Sequence, residues 1–376
     1  MTAHQKPAGQ QAAGQQATAQ QVAGQQVAGQ QATGQQLSNQ QAAHQQVPRQ
    51  QVPRQQAAHL GAPHQQRPPR AVVFAYHNVG VRCIKVLLAG GVDIGLVVTH
   101  ADNPAEAIWF ESVAALCRDE GLDCITPGDA MAPEFLARVQ AVQPDFLFSF
   151  YYRHMLPASV LAVAPAFNMH GSLLPQFRGR APVNWAVLHG ATETGATLHE
   201  MTVKPDAGAI VARSAVPILP DDTAFEVFGK VTVAAEQALW SVLPALLAGT
   251  APRTRNDLTL GGYFGGRKPE DGRIDWSRPA QQVYDLHRAV APPYPGAFTD
   301  VNGVRYVIGR ARMARRLASG PGSKPAPGWT VGLTVVDNCI FGVCGDGRML
   351  AISALTADGL AVTPAQLHAS LAGMAQ

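Results

Sequence analysis

The chain has 376 residues, 47% of them hydrophobic and only 15% charged, enough for two ordinary domains with a sizeable core. The formal charge of +3 is misleading: Lys6, Arg49, Arg54, Arg67 and Arg70 face no acidic residue within the first 70, so the remainder carries −2. A mildly acidic body excludes a global electrostatic footprint for nucleic acid, and nucleic acid is not expected as a partner.

The first 70 residues are a different material from the rest. The pair QQ returns every fifth residue from Gln10 to Gln56 and again at Gln65 and Gln66. A period of five matches neither the helical 3.6 nor the strand period of 2, so no regular element would gain an apolar face. The segment reads as a disordered glutamine-rich repeat, without the apolar core of a signal peptide or a membrane anchor. The five cysteines, Cys83, Cys117, Cys124, Cys339 and Cys344, show no CxxC spacing and suit a reducing cytoplasm.

From residue 71 the pattern becomes regular. "AVVFAY" (71–76) and "DIGLVVT" (93–99) read as buried strands with a helix between them over 79–89. Asn103, Pro104 and Glu106 resemble an N-cap, an N1 proline and a capping-box glutamate, opening a helix with Phe110, Val113, Ala114 and Cys117 on one face. A short strand (123–125), a helix (133–142), the strand "DFLFSF" (145–150), a short helix from Pro157 and the strand "AFNMH" follow. Alternating buried strands and amphipathic helices predict an α/β domain built on an open, mostly parallel sheet with helices on both faces. The turn "YHNVGVRC" has no GxGxxG, which rejects a dinucleotide-dependent oxidoreductase.

Thr223 and Glu226 form a capping box for a helix that stops at Gly249. Beyond Asp275 come a helical stretch near 283–290, the run "PPYPGAF" and β-like segments with a "CGDGR" hairpin turn. These predict a smaller C-terminal β domain, barrel-like, joined by a linker around "GGRKPEDG". The expected division is 1–70 for the repeat tail, 71–262 for the catalytic domain and 263–376 for the linker and β domain. Arg305, Arg310, Arg312, Arg315 and Arg316 crowd a short stretch there. A solvated face accounts for them better than a polyanion site does.

Doubly wound sheets bind ligands at the carboxyl ends of their strands, and Asn168 and His170 fall at such an end. Two residues apart on a strand, they share a face. Asp206 follows in "VKPDAGAIV". An amide donor, an imidazole and a carboxylate make an acyl-transfer set without a covalent nucleophile, in which Asn168 donates to a developing oxyanion, His170 acts as acid, and Asp206 raises and orients the histidine. A structural histidine at a strand end is the competing reading on these residues alone. No HxH, HExxH or CxxC cluster supports a metal, and Ser172 lies in no GxSxG elbow.

The stretch "FNMHGSLLPQFRGRAPVNWAVLHGATETGATLHEMTVKPDAGAIV" resembles the signature of the 10-formyltetrahydrofolate-dependent formyltransferases. "YYRH" (151–154), "YFGGRKPEDGRIDW" (263–276) and "VAPPYPGAF" (290–298) extend the likeness over nearly everything after residue 70. The resemblance implies a Rossmann-like formyltransferase fold, 10-formyltetrahydrofolate as cosubstrate without a metal, and Asn168, His170 and Asp206 as the catalytic set. It also implies that Arg180, Thr202, Val203, Lys204, Pro205 and Asp206 line the folate site. Arg178 is balanced between ligand contact and bracing of its loop. Tyr151 and Tyr152 could wall a ligand, though packing is the commoner use of such a pair, and His154 and His199 read as structural.

Within the family the loops look most like the formyltransferase half of the bifunctional polymyxin-resistance enzyme. That enzyme formylates UDP-4-amino-4-deoxy-L-arabinose in lipid A modification. The likeness does not extend to a dehydrogenase-decarboxylase half, a step that would then fall to another chain. The expectation is a cytoplasmic enzyme acting on a nucleotide-sugar, without membrane insertion, with homo-oligomer formation left open. A methionyl-tRNA formyltransferase and a non-catalytic folate or nucleotide-sugar binding protein are the alternatives.

Overall fold

A computed structural model describes residues 67–104, 108–129, 132–314 and 330–372. The glutamine-rich repeat lies outside the described residues, as do Glu106, Arg315 and Arg316. Residues 67–70, which by sequence belong with the repeat, are part of the folded body: Arg67 pairs with Asp145 at 2.9 Å and Arg70 opens the first strand.

The elements up to the site are β1 (Arg70–Ala75), α1 (His77–Ala89), β2 (Asp93–Val98), α2 (Val113–Glu120), β3 (Cys124–Ile125), α3 (Pro133–Ala141), β4 (Phe146–Phe150), α4 (Ala158–Leu161) and β5 (Ala166–His170). They continue with β6 (Arg178–Gly179), α5 (Pro182–Leu188), β7 (Glu193–Glu200), β8 (Ile210–Pro217) and α6 (Ala224–Leu247). One seven-stranded sheet runs β3-β2-β1-β4-β5-β7-β8, parallel through β5 and antiparallel from there on. The chain moves outward from β1 in both directions, so the switch point lies between β1 and β4.

Burial on both faces explains the unbroken apolar strands. Val72, Phe74, Leu96, Val98 and Leu147 pack toward α3 and α4, while Val73, Ala75, Val97, Phe148 and Phe150 pack toward α1 and α6. The long α6 starts where the sequence places it: Thr223 Oγ1 accepts from the Glu226 amide, and the Glu226 carboxylate accepts from the Thr223 amide at 2.7 Å.

The helix expected from Asn103 begins instead at Val113, where Ser112 Oγ accepts the Ala115 amide at 3.2 Å. Trp109 and Phe110, which would have fallen in its second turn, are drawn onto the His77 ring, with Phe110 stacked at 3.9 Å between centroids. A strong aromatic contact overrides a local cap signal there.

The second body contains β9 (Tyr263–Phe264), a 3-10 turn (Pro269–Gly272), α7 (Ala280–Val290), β10 (Ala297–Val301), β11 (Val304–Met313), β12 (Gly332–Val336), β13 (Cys339–Val343), β14 (Met349–Ala357), β15 (Leu360–Ala361) and α8 (Pro364–Ala372). Strands β10 to β15 form one curled antiparallel sheet, a half-barrel, and the Cys344–Arg348 hairpin closes with a 2.9 Å amide bond. Arg305 pairs there with Glu270 and Asp300 and lies 3.9 Å from the Phe298 centroid, so part of the basic stretch is neutralised locally. Strand β9 reaches back to pair with β6 beside the end of β5. Among the described residues no helix is long and apolar enough to cross a membrane.

Candidate active site

Strand β5 sends Phe167 and Met169 into the core and leaves Asn168 and His170 on the opposite face. The chain then turns through residues 171–180, a loop pinned at several points. Thr197 Oγ1 donates to the Ser172 carbonyl at 2.7 Å and accepts the Leu174 amide at 3.1 Å, and Ser172 Oγ donates to the Gln176 carbonyl. The fold returns the Phe177 carbonyl to within 2.9 Å of His170 Nε2. A carbonyl only accepts, so Nε2 carries the proton and Nδ1 is left facing Asp206 Oδ1 at 3.6 Å.

Asp206 sits in the connection between β7 and β8 at φ +49°, a left-handed conformation uncommon outside glycine and asparagine. Two contacts hold it there. The Asn256 side chain donates to its carbonyl at 2.9 Å, and the Gly179 amide donates to Oδ2 at 2.8 Å. Gly179 is at φ +98°, and a Cβ added to it would lie 2.1 Å from the Phe264 carbonyl oxygen. Only glycine fits this position.

A fourth residue completes the cluster. His199 on β7 is the cross-strand partner of Asn168, and its Nε2 accepts from the Asn168 side-chain amide at 3.0 Å. His199 Nδ1 donates to the Glu200 carbonyl at 2.8 Å, which fixes the tautomer, and Nε2 also lies 3.6 Å from Asp206 Oδ1. The sequence reads His199 as structural; its contact with Asn168 depends on strand pairing, which no local motif reports.

Electrostatics bind the four together. Burial alone would raise the Asp206 carboxyl, yet the His170 and His199 rings and the Gly179 amide outweigh it and hold the group far below the ordinary carboxylate range. Burial pushes His170 below the ordinary imidazole value; Asp206 and the Phe177 carbonyl pull upward without restoring it. Asp206 acts upward on His170 as expected, but a 6% exposed ring loses more by desolvation than it gains from a carboxylate 3.6 Å away. At neutral pH the ring rests uncharged, with a bare Nδ1 able to accept a proton beside an anion that would stabilise the charged form.

The remaining predicted positions divide. Thr202, Val203 and Lys204 are exposed on the rim, the turn tightened by a 2.8 Å bond from Thr202 Oγ1 to the Lys204 carbonyl, and Pro205 is half-buried behind them. Arg180 is exposed and follows Gly179 out of the loop. Arg178 is buried and donates to the Leu258 carbonyl at 3.2 Å, bracing the loop. Tyr151 packs on His77 and Phe228, and Tyr152 stacks on His100 at 4.2 Å, so both pack within the body. Among the described residues no group of three or more His, Cys, Asp or Glu could hold a metal ion.

The chain matches the family model for formyl transferases over residues 70–243 and the model for the formyl transferase C-terminal domain over residues 267–370. It is similar in fold to an N-formyltransferase from Helicobacter canadensis in complex with folinic acid and dTDP-3-aminofucose, at 15% identity and a TM-score of 0.58, over 76% of this chain and 98% of that one. WlaRD, a sugar 3N-formyl transferase solved with dTDP and 5-N-formyltetrahydrofolate, gives 15% identity and 0.59 over 76% and 97%. A 4-N formyltransferase from Francisella tularensis gives 19% and 0.52 over 64% and 96%. Both the catalytic sheet and the half-barrel are matched, and the chain is a member of the formyl transferase family.

Proposed function

We propose that this formyltransferase moves the formyl group of 10-formyltetrahydrofolate to the amine of a nucleotide-linked sugar, with UDP-4-amino-4-deoxy-L-arabinose the preferred acceptor, in lipid A modification and polymyxin resistance. The convergence of Asn168, His170 and Asp206 at the end of β5 carries this reading. Similarity of fold to enzymes described as sugar N-formyltransferases supports the acceptor class. The loop sequences "NMHGSLLPQFRGRAPVNW" and "DAGAIV" support the particular sugar. Residues 71–262 carry the chemistry, residues 263–376 form the second body, and the reaction is cytoplasmic.

The neutral amine adds to the formyl carbon. A C–N bond forms and the carbonyl π pair moves to oxygen. Asn168 has two amide protons, of which His199 takes one, and the second is available to the developing oxyanion. His170 accepts the proton lost by the attacking nitrogen at Nδ1, where Asp206 stabilises the imidazolium. Collapse breaks the bond to N10, the pair returns to that nitrogen, and His170 supplies its proton. The products are tetrahydrofolate and a formamide. Thr202, Val203, Lys204 and Pro205 lie on the formyl-donor side. Holding both ligands against one another supplies much of the acceleration.

The deciding experiment gives the full chain 10-formyltetrahydrofolate with UDP-4-amino-4-deoxy-L-arabinose, its dTDP- and GDP-linked counterparts, or methionyl-tRNA. Turnover is expected with the UDP-sugar. Turnover with the tRNA alone would overturn the acceptor assignment and leave the catalytic set intact.

A further inference from the structure

The segment that follows α6, residues 253–264, ties together both loops of the site. At its start Arg253 pairs with Glu200, the last residue of β7, and Thr254 exchanges two 2.8 Å backbone bonds with Ile210, the first residue of β8. The connection between those two strands carries Asp206, and two residues on from Thr254 the Asn256 side-chain amide donates to the Asp206 carbonyl at 2.9 Å. Further along, the Leu258 carbonyl accepts the Arg178 guanidinium, and the Gly262 and Phe264 carbonyls accept the backbone amides of Arg178 and Arg180 at 3.0 and 2.9 Å.

That last pairing sets a direction. Along an extended strand alternate amides point the same way, so with Arg178 and Arg180 turned toward the segment the Gly179 amide faces away from it. There it meets Asp206 Oδ2 at 2.8 Å. One segment therefore governs the carbonyl of Asp206 through Asn256 and its carboxylate through Gly179.

The contact at Asn256 costs stability twice. Asn256 is only 7% exposed, and among the described residues its Oδ1 is buried without a donor, whereas a leucine of similar volume would carry no unmatched oxygen. The residue it bonds is held at φ +49°, a strained conformation for a side chain with a Cβ. Two local costs at one contact mark a place where stability yields to geometry. The geometry at stake is the aim of a carboxylate whose Oδ1 stands 3.6 Å from both His170 Nδ1 and His199 Nε2.

Resting on the role given to Asp206 above, we infer that Asn256 is a positioning residue for formyl transfer: its amide fixes the left-handed turn that aims the Asp206 carboxylate at His170. The segment after α6 then belongs to the framework of the active site, although its own side chains take no part in the chemistry.

Asn256→Leu in the full chain tests this, since it removes the donor and the unmatched oxygen together. The melting temperature should hold or rise, while kcat for transfer from 10-formyltetrahydrofolate to UDP-4-amino-4-deoxy-L-arabinose falls by about tenfold to a hundredfold, less than for loss of the carboxylate, with both KM values within about twofold. Asn256→Ser keeps a donor on a shorter arm, should give an intermediate kcat, and serves in place of a leucine variant that does not fold. Combined with Asp206→Asn, Asn256→Leu should cost nothing further, because the group it positions is already gone. Histidine-ring NMR, with His170 identified by its loss in His170→Ala, should find that ring titrating at lower pH in Asn256→Leu as the upward pull of Asp206 weakens. Equal fractional losses in both backgrounds, a raised KM at unchanged kcat, a fall in melting temperature that accounts for the lost turnover, or an unshifted His170 titration overturns the inference. Wild-type turnover in Asp206→Asn, or no transfer to the sugar by the wild type, sinks the reading it rests on; the His170 shift would still show Asn256 aiming the carboxylate.

Discussion

Two histidines sit at the carboxyl ends of parallel strands in this sheet, and their surroundings differ in one decisive way. His170 ends β5 and His77 follows β1 as the first residue of α1; the two are 6% and 8% exposed. His170 faces a carboxylate, a second imidazole and a carbonyl. His77 is packed among Trp109, Phe110, Tyr151 and Phe228, with Arg153 as the charge acting on it. Burial lowers both, and at His77, where Arg153 adds to it, the value falls to about 3. A strand end in the crevice confers no proton chemistry by itself. A buried imidazole becomes a usable base only when an anion stabilises its charged form.

The largest effect comes from removing that anion or its partner. His170→Ala and Asp206→Ala should each cut turnover by about two to four orders of magnitude, the range for loss of a positioned acid-base group. Melting temperatures close to wild type would show that the fold is retained. Near-normal turnover in either variant would break the comparison, because the two histidines would then be equally idle.

The Asp206 carboxylate can also be disturbed through its amide donor. Gly179→Ala places a methyl 2.1 Å from the Phe264 carbonyl and holds a non-glycine residue at φ +98°. The strain costs roughly 1–3 kcal/mol and displaces the amide that binds Oδ2. Turnover should drop with a smaller loss of stability, read by kinetics and chemical denaturation together. His199→Phe should act less severely, since it removes the acceptor for Asn168 and leaves His170 paired. A variant with wild-type turnover would return His199 to a purely structural role.

How much of this was legible beforehand depended on the range of each interaction. The capping box of Thr223 and Glu226, the apolar strands and the two-residue spacing of Asn168 and His170 are local, and local patterns survive in the sequence. Asp206, a hairpin away, stands out in "VKPDAGAIV" as a candidate partner, and the family likeness gives it a catalytic role. The start of α2 was misplaced because Trp109 and Phe110 answer to His77, far back in the chain, rather than to Asn103. The contact of His199 with Asn168 is not legible locally, because only the β5 to β7 register brings the two opposite each other. The pairing of β6 with β9 is silent in the sequence, because two-residue strands are too short to announce themselves by any period.

The smallest expected effect tests the silent histidine. His77 has a folded value well below that of the unfolded chain, so below pH 6.5 the unfolded state binds the extra proton and stability falls with pH. The loss runs at about 1.4 kcal/mol per pH unit until pH approaches the folded value near 3. His287, lowered to about 4 by burial and by Arg288, adds a parallel loss over a shorter window. His77→Phe removes the first slope and keeps the aromatic packing. It gives up the 3.0 Å bond that Asn78 N–H donates to Nδ1, worth about 1 kcal/mol. Urea titrations should therefore find the variant slightly less stable at pH 8 and more stable than wild type near pH 4.5, the curves crossing between pH 5 and 6.5 on roughly these magnitudes. Parallel curves would mean that the ring keeps its proton in this pocket, and the contrast with His170 would lose its electrostatic basis.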